Sequence, residues 1–223
     1  MNRTSDVGLP ETSRANRSLE AMRWRAPDSV RAQFNRIAGL LESTGAAGVC
    51  AAVTSAVSGE GVTWVTAMLA CAIADSGGGV LVVDAGSEPR MGEMFQTTEG
   101  ESLPPRPGLS ELTLHGTEFS GLSIVSPGSR AALEPRKWIE AIRSLRTLSP
   151  VMLIDCDAVG KSPQLFHLSA ALDGVLLVVE AERERRDTIA GIVGAIQQSG
   201  MRLFGVVLNK RKVYGPSAVH KYL

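Results

Sequence analysis

Short runs of valine, leucine and isoleucine alternate with helix-like segments along most of this chain, and that alternation limits the folds open to it. The runs GVCAAVTS (48–55), VLVVDA (80–85), LSIVSP (122–127), VMLID (151–155), GVLLVVEA (174–181) and LFGVVLN (203–209) are almost wholly apolar. Runs of that kind are typical of strands buried on both faces. Residues 63–76, 135–148 and 184–199 between them have the length and spacing of helices. The pattern predicts an α/β domain with a mostly parallel, doubly wound sheet and helices on both faces. One more helix precedes the first strand. Val30, Phe34, Ile37, Leu40 and Leu41 recur at helical spacing behind a capping Asp28 or Ser29, and Gly45 to Gly48 end it. Residues 86–120 are rich in Gly, Pro and Ser and carry little firm structure in this reading.

At 223 residues the chain is long enough for one such domain, placed here at 28–213. Residues 1–27 are polar, arginine-rich and aperiodic, and are expected to be disordered or loosely docked; 214–223 form a short tail. Lys plus Arg and Asp plus Glu both number 23, which gives no electrostatic case for a nucleic-acid partner. Basic residues gather at both ends, most simply as solvated charge. No apolar run approaches the ~18 residues of a membrane span, and no apolar leader stands at the start. A cytoplasmic protein is expected, touching a membrane only through a partner. Cys50, Cys71 and Cys156 sit in apolar runs without metal-ligand spacing and read as core thiols.

Ligands of open α/β sheets bind beyond the carboxyl ends of the strands. After the first strand comes Ala56-Val57-Ser58-Gly59-Glu60-Gly61-Val62-Thr63. A phosphate-binding loop follows G-x-x-x-x-G-K-[ST]: its backbone N–H groups and helix N-terminus cradle phosphate, its lysine meets the β/γ-phosphates, and its hydroxyl holds Mg²⁺. Gly61 and Thr63 match that pattern. Ala56 replaces the first glycine and Val62 the lysine. Taken alone, the segment reads first as a tight strand–helix turn.

Asp84 closes the second strand and Asp155 the fourth, at the sheet edge that faces the loop. Carboxylates there organise Mg²⁺ and its waters, or cap the next turn. Asp157 reads as a turn residue that could contribute. Asn209 ends the last strand, where its amide can face an adenine edge or close a turn. The candidate nucleotide set is therefore Gly59, Glu60, Gly61, Thr63, Asp84, Asp155 and Asn209. Thr63, Asp84 and Asp155 are its metal candidates, with ATP or ADP and Mg²⁺ bound weakly or not at all.

Over roughly residues 29–213 these pieces resemble the cytoplasmic tyrosine autokinases of bacterial polysaccharide synthesis, relatives of the MinD/ParA group of P-loop ATPases. TSAVSGEGVT resembles that family's first nucleotide motif, VLVVDAG its second, and PGLSEL (107–112) a GLSD-x-L segment. VMLIDCDAVG resembles its third motif, and 171–210 its closing strand–helix–strand. The resemblance implies an ATP-binding P-loop scaffold with a role in exopolysaccharide or capsule biosynthesis. It also implies, as partner, the cytoplasmic part of a membrane chain-length protein or an active kinase relative.

The departures from the family pattern point one way. Val62 stands for the loop lysine, Trp64 for a threonine, Gly86 for the second aspartate of the second motif, and Cys156-Asp157-Ala158 for Thr-Pro-Pro. Ser87-Glu88-Pro89-Arg90 breaks the basic segment that follows the second motif. Ala32, Asn35 and Ala38 occupy the ring-forming E-x-x-R-x-x-R positions. The tail offers only Tyr214 and Tyr222 where the family has a tyrosine cluster. Phosphoryl transfer depends on positioned charge, so the leading expectation is a catalytically impaired, kinase-like regulator. The alternatives are an active autokinase or ATPase that borrows Lys161 or a partner's arginine, and a ParA-like positioning protein, for which Val57-Ser58 supplies no second lysine. His115, His167 and His220 are scattered and read as solvent or core residues. Trp64 is expected to pack or to fill part of the nucleotide pocket, and Trp138 to be core or a partner contact. The run at 180–187 is expected to be a solvated helix start with internal ion pairs, while the resemblance would place it near the nucleotide or a subunit interface.

Overall fold

The computed structural model describes residues 26–44, 48–97, 100–103, 106–128 and 134–211. His220, Tyr214, Tyr222 and the expected terminal segments, save Ala26 and Pro27, lie outside the described residues. Eight strands form one sheet: β1 (Val49–Ser55), β2 (Val80–Asp84), β3 (Glu101–Ser102), β4 (Leu112–Gly116), β5 (Leu122–Pro127), β6 (Val151–Asp155), β7 (Gly174–Glu180) and β8 (Leu203–Asn209). Their order is β3-β4-β5-β2-β6-β1-β7-β8. From β5 to β8 every pairing is parallel, while β3 and β4 run antiparallel at one edge.

The helices are α1 (Asp28–Thr44), α2 (Val62–Asp75), α3 (Met91–Phe95), α4 (Pro135–Leu145), α5 (Gln164–Leu168) and α6 (Arg186–Gln198). They separate two apolar layers. Side chains of β1 such as Ala51 and Val53 face α1, α2 and α3, while Cys50 and Ala52 face the side of α4, α5 and α6. The alternation along β1 therefore feeds two cores, which explains its unbroken apolar sequence. Helix α2 (VTWVTAMLACAIAD) is buried from Val65 through Ile73, as expected for a helix apolar on all sides. What covers it is α1, whose Phe34, Ala38 and Leu41 are buried at i, i+4 and i+7.

Four expectations need correction. Leu40 is 61% exposed, because α1 turns only one stripe towards α2. Residues 86–120 hold α3, β3 and β4, which are too short, and in β4 too polar, to leave a periodic signal. Helix α5 also went unpredicted. Helix α6 begins at Arg186 rather than 184, after a turn in which Glu182 has φ 64°. All three cysteines are buried, and burial pushes the Cys50 thiol up to about 12. Among the described residues no helix is long and apolar enough to cross a membrane.

Candidate functional site

Strand β1 lies between β6 and β7, and the chain leaves it to form β2 on the far side of β6. That reversal opens a crevice at the carboxyl end of β1, and residues 56–61 fill its mouth. Gly59 has φ 90° and Gly61 φ 92°, values that a side chain would strain. A Cβ on Gly61 would also come within 2.3 Å of Asn209 Nδ2. Val65 N donates to Gly61 O at 3.0 Å, closing the first turn of α2 directly behind the loop.

The loop is held from the ends of β7 and β8. Glu60 is fully buried, and its two carboxyl oxygens accept from Val57 N (3.0 Å) and Glu180 N (2.8 Å). Asn209 Nδ2 donates to Glu60 O at 2.8 Å, and Lys210 Nζ to Gly59 O at 2.6 Å. Glu180 Oε2 gathers Lys210 Nζ (3.1 Å) and Arg183 Nη1 (2.9 Å). The 180–187 run thus forms internal ion pairs and also lies against the loop. The Asn209 amide N–H is committed to the loop backbone. The Glu60 side chain is a structural clamp, so that position has only its backbone groups to offer a ligand. Sequence reasoning missed Glu180 and Lys210 as loop supports. The available signal was a polar pair ending each of two apolar strands that face a glycine turn.

Val62 is half-buried and, like Trp64, packs on the α1/α2 core; Trp64 meets Phe34 edge-on at 5.8 Å between ring centroids. Trp64 is therefore a packing residue, and Trp138, 4% exposed, is core. No cationic side chain stands at position 62.

The acidic side of the crevice is built by β6 and β2. Asp84 and Asp155 are register partners at the ends of these adjacent strands, 1% and 5% exposed. β6 flanks the loop directly and β2 lies one strand further out. Asp84 Oδ2 accepts from Met91 N at 2.7 Å, which makes it a cap of α3 as well as a site candidate. Burial raises its carboxyl to about 6, against the pull of backbone N–H groups. Burial and then the neighbouring Asp84 raise Asp155 to about 7, opposed by hydrogen bonds from Thr63 and Thr66. Thr63 and Asp155 therefore meet, as the sequence pattern expects. Asp155 Oδ1 is buried with no hydrogen-bond partner. A buried orphan oxygen costs free energy unless a ligand uses it.

That oxygen, the Thr63 hydroxyl and Asp84 fit a small divalent cation that keeps most of its waters. Among the described residues no three His, Cys, Asp or Glu side chains converge on one ion. Bound waters would complete the coordination of such a cation beside the two carboxylates, and the glycine loop would hold phosphate through backbone N–H groups. Lys161, considered as a replacement for the loop lysine, instead has Nζ 2.7 Å from Ser87 Oγ and 3.2 Å from Asp157 Oδ1. A cavity of about 710 Å³ opens beside this cluster, lined in part by Gly86, Ser87, Arg90, Trp138 and Gln164. It does not reach the glycine loop.

A family-model scan of the chain finds no match. The chain is 26% identical over 188 residues to the tyrosine-protein kinase CpsD of Streptococcus agalactiae, covering 79% of this chain and 82% of that protein. It is a homologue of the CpsD tyrosine kinases. The fold agrees. The VpsO kinase domain superposes with a TM-score of 0.68 at 24% identity, covering 83% of this chain and 98% of that one. The cell-division ATPase MinD of Pyrococcus furiosus superposes at 0.60 and 21% identity, covering 77% and 78%. These likenesses place the α/β sheet among P-loop NTPase folds.

Proposed function

We propose that this chain is a kinase-like domain that binds Mg-nucleotide weakly, transfers phosphate poorly or not at all, and works through protein contacts. On this reading it regulates bacterial exopolysaccharide or capsule biosynthesis. It docks on the cytoplasmic part of a membrane chain-length protein, or on an active kinase relative, and reaches the membrane face only through that partner. The observation that carries the reading is local. The glycine loop is braced by Glu60, Asn209 and Lys210, yet the residue where the phosphate-facing cation belongs is Val62, half-buried and packed against the core.

Removing one partner of a buried charge pair costs roughly 2–5 kcal/mol. That corresponds to about 30- to 3,000-fold in affinity or rate. Titration of ATP and ADP with Mg²⁺ onto the purified protein tests the reading directly. Wild type is expected to bind weakly and Val62→Lys more tightly, by at least roughly 30-fold. Incubation with Mg-ATP is expected to yield neither ADP nor phosphotyrosine above background. Micromolar ATP affinity or phosphotyrosine from the wild type would overturn it.

One observation favours the second reading, an active autokinase or ATPase. Thr63, Asp84 and Asp155 are assembled with an oxygen of Asp155 left without a protein partner. The product assay separates the two.

A further inference from the structure

Beyond the two buried aspartates lies a second layer of charge. Asp157, two residues past the end of β6, is mostly buried, with a side chain 13% exposed. Its Oδ2 accepts from Ser87 N at 3.0 Å and its Oδ1 lies 3.2 Å from both Ser87 Oγ and Lys161 Nζ. A Cβ built on Gly86 would have Asp157 Oδ1 as its nearest neighbour, at 3.7 Å. The carboxyl thus projects over the β2 turn, into space that a side chain at 86 would otherwise occupy. The segment carrying it is pinned beside the glycine loop. Thr54 Oγ1 donates to Asp157 O (2.7 Å), Val159 N to Ser55 O (2.8 Å) and Gly160 N to Ala56 O (3.1 Å).

We propose that Asp157 is the outer carboxylate of the Asp84–Asp155 cation site, and that the Lys161 ammonium is a built-in cation that competes with a divalent ion for it. Two observations support this together. The orphan Asp155 Oδ1 points to a ligand that no protein group supplies. The next carboxylate outward already holds a cation, on a flexible stem that is 41% exposed and able to leave. Because three carboxyls do not converge on one point, Asp157 acts on the waters of the ion rather than as a direct ligand. Lys161 then competes with the hydrated ion for the Asp157 carboxylate. The proposal rests on the cation site in the proposed function, but not on nucleotide binding or on any partner.

The test is Mn²⁺ alone, titrated onto the full chain by calorimetry and by loss of the free-ion EPR signal, and repeated with ADP. Opposite signs are expected from the two halves of the pair. Lys161→Met should tighten Mn²⁺ roughly 3- to 10-fold by removing the competitor. Asp157→Asn should weaken it roughly 10- to 100-fold. In the Asp157→Asn background, Lys161→Met should have no further effect. If Asp157 and Lys161 only tether Ser87, neither variant alters Mn²⁺ affinity, and the proposal fails. It fails equally if no variant binds Mn²⁺, or if Lys161→Met weakens binding. Mn²⁺ binding without ADP binding would sink the nucleotide reading and leave this one standing.

Discussion

The carboxyl of Asp155 is 5% exposed, lies beside that of Asp84, and has one oxygen without a partner. Its folded pKa, about 7, is far above the ordinary 3.8, so the folded state holds a proton that the unfolded chain has already released. Stability from this group is therefore fully present below pH ~4 and is lost as pH rises towards 7. Asp155→Asn removes the titration and keeps the shape. The variant should match wild type near pH 4 and exceed it at pH 8 by on the order of 4 kcal/mol, read from urea unfolding at both values. Mg²⁺ at pH 8 should stabilise wild type more than the variant, which keeps only the Asp84 carboxylate of the pair. A variant that is less stable than wild type at pH 8 would mean that Asp155 belongs to the packing, with no cost set aside for a ligand.

At the scale of elements, the glycine loop takes its shape from the ends of β7 and β8 as much as from its own sequence. Glu60 ties Val57 N to Glu180 N, 120 residues away. Glu60→Ala leaves both partly buried N–H groups without their partner, at a cost of roughly 2–4 kcal/mol. Its crosslinking should be visible as faster amide exchange at both 57–61 and 179–183. Faster exchange confined to the loop would place the clamp elsewhere. This long-range tie explains what could be read beforehand. Gly61, Thr63, Asp84 and Asp155 were legible because strand ends and helix starts are local signals, and β1, β2 and β5 to β8 because they are apolar throughout. Glu60 as a clamp, and Asn209 and Lys210 as props, depend on β8 lying next to β7 and β7 next to β1, an order that no local pattern encodes. Residues 86–120 hid α3, β3 and β4 for a different reason. Of these, α3 and β3, with 5 and 2 residues, are too short to register a periodicity, and β4, with 5, is too polar to read as an apolar run.

Across the whole molecule, the layer above the loop is stacked two deep: α2 covers the sheet and α1 covers α2. Helix α1 rests chiefly on α2, with Phe34 and Trp64 meeting edge-on where α2 leaves the loop. Trp64 follows Thr63 directly, so the docking of α1 steadies the helix start that a phosphate would use. Phe34→Ala removes a ring that is 6% exposed and should cost roughly 3–5 kcal/mol, whereas Leu40→Ala, on the outer face, should stay within about 0.5 kcal/mol. Because α1 is an outer layer, the loss should fall unevenly. Amides of α1 and of the first turn of α2 should exchange faster, while those of β1 and β6 at the sheet centre keep their protection. Mg-ADP affinity should fall along with the order of the α2 start. If β1 and β6 lose protection in step with α1, the two layers unfold as one unit, and the steadying of the loop belongs to global stability instead.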